Sequence, residues 1–239
     1  MKPIVTLFKK EFKEHRLILF FLVVATVVLD LYLLLTGSSD SAKPLWVLAP
    51  YSGTLIILPF LLAHAFTSEW KSDTAYVLLA LPIRPFWIPV LKFLALLCYA
   101  GILFGISTLG GYLVYVRFYA NHVSISTADF WLLSALFYFS WTLLFFSLVT
   151  LMEAAKFSVH RYRGLLGTAV FFGTLFFWVR LSDPAVRWLD RIGHYTLTLR
   201  IEGELITQTI RFGEPLWIAI TGAVLLGLAV LLFETKVEV

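Results

Sequence analysis

The chain has 239 residues, 60% of them hydrophobic and only 14% charged. Soluble domains carry about 25% charged residues, so an ordinary water-soluble domain is excluded and lipid is the expected solvent. The formal net charge of +4 requires no nucleic acid as partner, because basic loops beside anionic headgroups account for it.

In chain order, the first element is "MKPIVTLFKKEFKEHR". Met1, Ile4, Val5, Phe8 and Phe12 fall within one arc of about 100°, with Lys9, Lys10 and Lys13 elsewhere. The pattern predicts an amphipathic helix over 1–16, lying in the headgroup plane with its lysines reaching to phosphates.

A helix crosses the roughly 30 Å hydrocarbon layer with about 20 apolar residues. Windows of that kind predict six spans, at 17–36, 45–66, 89–116, 130–151, 165–181 and 215–233. The first run is followed by "TGSSDSAKP", which has no Ala-x-Ala pattern, so it is expected to stay as an anchor. The expected fold is an all-α membrane protein forming a single transmembrane domain over 1–239.

Basic residues set the expected orientation. With the N-terminus inside, the inner side holds Lys2, Lys9, Lys10, Lys13, Arg16, Lys71, Arg84, Lys92, Lys156, Arg161, Arg163 and Lys236, twelve of the nineteen. Both termini are therefore expected in the cytoplasm of a multi-pass membrane protein. Cys98 stands alone inside the third span, so no internal disulfide can form, and its type favours burial among apolar groups.

Polar residues inside the spans are few. Asp30 lies past the middle of the first span, where a charge must face protein, a wet cavity or a proton. It is a candidate pathway group, and His64, near the inner end of the second span, is another. Gly101 and Gly105 share one face of the third span and allow close helix packing. Ser134, Ser140, Ser147 and Thr150 supply scattered hydroxyls to the fourth span.

The stretch 182–214 is the one sizeable outer element. Val186, Leu189 and Ile192 fit a short amphipathic helix, and "YTLTLRI" and "LITQTIRF" alternate around "EGE" as a β-hairpin with Gly203 in its turn. It could cap a pathway, contact a partner or shield the bundle.

Several chemistries have no motif here. The sequence lacks a G-x-x-x-x-G-K-[ST] loop for ATP phosphates, H-E-x-x-H, C-x-x-C and G-x-S-x-G. The five histidines are scattered and form no metal set, so no catalytic, cofactor or metal residue is expected.

Between the second and third spans lies "SEWKSDTAYVLLALPIRP". Trp70, Val77, Leu78 and Leu81 share a helical face, Glu69, Lys71 and Asp73 polarise its start, and Pro82 ends it. The spacing predicts a cytoplasmic amphipathic helix within the region 67–88. The segment "EWKSDTAYVLLALPIRPFWIPVLKF" resembles the one after the second span of type-2 ATP-binding-cassette (ABC-2) transporter permeases. Glu69, Thr74, Leu78, Leu79, Leu81, Pro82, Arg84 and Lys92 carry the likeness. Asp73 stands where many members have Gly.

The resemblance implies that 1–16, with Phe8, Lys9, Lys10 and Phe12, is an elbow helix. It implies that Glu69, Trp70, Lys71, Asp73, Thr74, Val77, Leu78, Leu81, Pro82 and Arg84 form a coupling surface. It further implies two separate ABC ATPase subunits that carry ATP and Mg, a second copy or paralogous six-span permease, and a bacterial cell membrane. The chain itself would be no enzyme but an exporter subunit for a hydrophobic or amphipathic cargo. Open alternatives are a proton- or sodium-driven secondary transporter, a membrane-embedded enzyme using Asp30, and a non-transporting scaffold or sensor subunit.

Overall fold

A computed structural model of the chain describes residues 2–36, 43–71, 84–120, 123–124, 126–159, 162–201 and 204–236. Among these residues the chain forms helices α1 (Lys2–Glu14), α2 (Arg16–Leu35), α3 (Lys43–Lys71), α4 (Trp87–Phe118), α5 (Thr127–Phe157), α6 (Arg163–Leu189) and α7 (Gly213–Lys236). The strands are β1 (Val123–Ser124), β2 (His194–Ile201) and β3 (Glu204–Arg211).

Six helices, α2 to α7, are long and apolar enough to cross a membrane, so the protein is a multi-pass membrane protein. They correspond one to one with the six expected spans. Their contacts define two ends. At the α1 end, Phe66 near the close of α3 meets Phe233 near the close of α7, with ring centroids 5.8 Å apart. At the opposite, sheet end, Tyr112 of α4 lies 2.9 Å from Thr127 at the start of α5, hydroxyl to hydroxyl.

The core lies among α3, α4, α5 and α7. Leu58, Leu62, Tyr99, Leu103, Phe146 and Ile218 are almost wholly enclosed. α5 and α7 approach closely, since a Cβ at Gly222 would lie 2.9 Å from the Leu143 side chain and 3.0 Å from the Leu144 nitrogen. Two helices are peripheral. The buried residues of α2 are Thr26, Asp30 and Leu33, and those of α6 only Gly167 and Leu189, so most of their apolar side chains face lipid.

Several expectations change. Gly101 and Gly105 have open space where a Cβ would stand, so they are not a packing seam within this chain; the close approaches on α4 are at Gly110 and Gly111. Cys98 is exposed on the outside of the bundle, where hydrocarbon takes the place of an apolar interior. The hydroxyls of Ser140 and Thr150 donate to carbonyls one turn back in α5, not across helices. Ser147 is buried without a hydrogen-bond partner among the described residues.

The short outer helix is not separate. Val186 and Leu189 belong to α6, which continues through Pro184 to Leu189, and Ile192 follows in a turn. Pro184 removes one backbone donor, but it does so where the helix leaves the hydrocarbon and water can take up the vacated carbonyl.

The hairpin forms as the alternation predicts, with His194 opposite Arg211 and Ile201 opposite Glu204. Gly203 lies outside the described residues. An unforeseen third strand joins it: β1 pairs antiparallel with β2, Val123 opposite Ile201, giving the order β1-β2-β3. The fold is therefore an α-helical bundle with a small sheet at one end.

The sheet is tied to the bundle at its base. The Tyr195 hydroxyl donates to Asp129 in the first turn of α5, which pushes the phenol's pKa up. Asp190, just after α6, accepts from the Gly213 backbone N–H at 3.1 Å and sits 3.6 Å from Arg211. A Cβ at Gly213 would overlap the Asp190 carboxylate, so glycine is needed at this junction.

Candidate functional site

α1 ends at Glu14, His15 forms the turn after it, and α2 begins at Arg16. The face that α1 turns inward follows Leu7, Glu11 and His15, each one helical turn from the last and each at most 5% exposed. Leu7 packs with Ile88 and Leu91 of α4. Ile4, Phe8 and Phe12 of the expected arc are half-buried, whereas Val5 is 51% exposed. Lys9, Lys10 and Lys13 are exposed as expected.

The offset in this face arises from an ion pair. Lys92, in the second turn of α4, is 2% exposed and donates from Nζ to Glu11 Oε2 at 3.0 Å. The same ammonium donates to the Ala65 carbonyl of α3 at 3.1 Å and stands 5.7 Å from the centre of the Phe66 ring. Lys10 approaches the other Glu11 oxygen at 3.9 Å. A buried carboxylate is tolerable only with such charge-assisted bonds. One ammonium thus joins α1, the end of α3 and the start of α4. Lys92 is accordingly an internal group and not one of the basic residues facing the inner surface.

Two more contacts tighten the joint. Phe12 leaves a carbonyl unused as α1 ends, and the buried Tyr99 hydroxyl of α4 donates to it. Their rings meet edge-on at 4.8 Å. His15 completes the cluster with its Nε2 buried and without a hydrogen-bond partner among the described residues. Burial lowers the His15 pKa, Lys92 and His64 lower it further, and Glu14 opposes them.

The expected coupling surface starts where this joint ends. Glu69, Trp70 and Lys71 continue α3 as helix, and Ala65 lies one turn before Glu69. Asp73, Thr74, Val77, Leu78, Leu81 and Pro82 lie outside the described residues, as do the side chains of Glu69, Trp70 and Lys71. Arg84 is exposed just before α4, and its carbonyl accepts from Trp87. Both described flanks of the connection are therefore held by Lys92, one through Ala65 and the other through α4 itself.

Asp30 and His64 do not share a site. Asp30 is 7% exposed and rests on α4 at Gly110, where a Cβ would overlap its carboxylate. His64 is exposed beside Ala65, at the level of Lys92. Gly110 follows Lys92 by 18 residues of continuous helix, or about 27 Å. The two groups therefore stand at different depths of the bundle. Near Asp30, Tyr51 donates to Thr108 at 2.8 Å and Tyr138 donates to Thr54 at 3.1 Å, so α3 is hydrogen-bonded to α4 and α5 within the apolar layer.

Sequence reasoning missed Glu11 and Leu7. The available signal was Lys92, a lone ammonium within an apolar run, which demands a partner of opposite charge at its own depth. Glu11 is placed to supply it.

No family model, curated protein or solved structure matches the chain.

Proposed function

We propose that the protein is the membrane-spanning subunit of an ATP-driven exporter whose ATP hydrolysis resides on separate subunits. The observation that carries this reading is the Lys92 joint. A soluble partner pressing on the connection between α3 and α4 would move three helices together, because Lys92, Glu11 and the Ala65 carbonyl cannot separate without leaving a buried charge unmatched. The sequence resemblance supplies the partner class, two ABC ATPase subunits with ATP and Mg, and a second six-span chain. A hydrophobic or amphipathic cargo suits the apolar spans.

The test is gentle purification from native membranes, with identification of co-purifying chains and an assay of ATP hydrolysis. A stoichiometric ATPase subunit, lost when Glu69 or Trp70 is replaced by Ala, is the expected result. The chain emerging alone from several mild detergents overturns it.

Asp30 favours a second reading, a secondary transporter driven by protons or sodium, because a buried carboxylate among the spans is suited to bind a cation. Ion-gradient-driven uptake into vesicles holding the chain alone, abolished by Asp30→Asn, would select that reading.

A further inference from the structure

A groove of about 430 Å³ opens on the side of the bundle among α3, α5 and α6. Leu55, Pro59 and Ala63 form one wall, Phe145 and Met152 the floor, and Phe172 the other wall. Its one hydroxyl, Thr168, is already spent on the Gly164 carbonyl at 2.9 Å, so the lining offers a ligand no polar partner. Along α3 it runs from Leu55 to Ala63, about 12 Å at 1.5 Å per residue. Because α6 is a span at the edge of the bundle, with Thr168 and Phe172 exposed, the groove opens into hydrocarbon.

Its α1 end is cationic. Lys156 stands one turn beyond Met152, and Lys156 crosses Gly167, where a Cβ would lie 2.6 Å from its Cε. Arg163 is exposed at the start of α6, and His64 is exposed next to Ala63. The nearby acid Glu153 is turned inward, 1% exposed, and takes the Lys156 ammonium at 2.6 Å. The outward charge at this mouth therefore belongs to Arg163, the Lys156 ammonium being held by Glu153.

We propose that the groove binds one acyl chain of an anionic phospholipid, with the headgroup phosphate at Arg163. The groove runs lengthwise along α3 for about 12 Å, a form that a hydrocarbon chain can follow. Arg163 at the mouth complements a phosphate, and the aromatic and aliphatic lining complements the tail. This site stands independently of the ATPase partner.

The test uses the full-length chain in nanodiscs of equal phosphatidylglycerol and phosphatidylcholine, with retained lipid counted by native mass spectrometry. The wild type should retain phosphatidylglycerol preferentially, and Arg163→Gln should reduce that preference about fivefold. Ala63→Phe, which fills the groove, should lose the bound lipid. Thr168→Trp fills it from an exposed position with little risk to folding and should do the same. Equal retention by the wild type and both filled variants overturns the proposal, as does a wild type indifferent to headgroup charge. A disulfide between copies carrying Phe172→Cys and Cys98→Ser would also overturn it, by showing that a second copy covers the groove.

Discussion

Lys92 and Glu11 illustrate how a single buried pair can matter more through its loss than through its presence. Removing one partner strands a charge, which typically costs about 3–5 kcal/mol, while replacing both by apolar groups is often near neutral. Lys92→Met should therefore lower stability in detergent by about that amount, and adding Glu11→Leu should recover most of it. Thermal unfolding of the three variants measures this, and a double variant no better than Lys92→Met would show that the pair is not the source. His15 adds a pH dependence. Its folded pKa lies below the ordinary 6.5, so the unfolded chain binds the proton more readily and acid favours unfolding. The contribution of neutral His15 is present above about pH 6.5 and is lost as pH falls through that value toward the lower folded pKa. His15→Gln should flatten the melting temperature between about pH 7.5 and 5.5, and an unchanged slope would assign the effect elsewhere.

Individual helices were legible in the sequence to the extent that length and apolarity specify them. The six spans follow from those two quantities alone. The α6 boundary did not, since Asp183, Pro184 and Arg187 read as a loop, yet the backbone keeps its helical bonds past them. The hairpin was legible because apolar and polar residues alternate along β2 and a turn signal separates it from a second β-rich run, while β1 has only two residues and is defined by its partner. The joint was illegible because its partners are 81 residues apart and amphipathic patterning assigns every glutamate to the wet side. At this scale the hairpin's attachment is testable. Asp190→Ala removes the acceptor of the Gly213 N–H, a loss of about 1 kcal/mol, whereas the exposed Arg211 contact adds little. Hydrogen exchange should quicken in 194–211 and stay unchanged in the core of α4 and α5. Uniform quickening throughout would mean that the sheet and bundle unfold as one.

For the molecule as a whole, the two ends differ in chemistry. The α1 end gathers the exposed lysines of α1 with Arg16, Arg84 and Arg163, and the sheet end carries the hairpin. The excess of basic residues predicts the α1 end in the cytoplasm. In a Cys98→Ser background, Ser158→Cys should resist a membrane-impermeant maleimide in intact cells while Thr207→Cys, exposed on β3, is labelled. The reverse pattern would invert the topology and place the α3–α4 connection beyond the reach of a cytoplasmic ATPase. Among the described residues the buried core is built by α3, α4, α5 and α7, while α2 and α6 pack on its outside and leave broad apolar surfaces for lipid or a second chain.

The spacing of the buried pair also has a consequence for biogenesis. Glu11 leaves the ribosome 81 residues before Lys92, so during that interval α1 has an inward face whose acid lacks its α4 ammonium. Until the third span is made, the carboxylate must remain hydrated in the headgroup layer, and α1 can dock only when α4 brings the ammonium into place. Leu7, sealed against Ile88 and Leu91 in the finished protein, reports that event. A nascent chain ending at residue 71 and carrying Leu7→Cys should react freely with a water-soluble maleimide, and the completed Cys98→Ser chain should protect the same thiol. Protection already present in the shorter chain would mean that α1 finds its seat without Lys92.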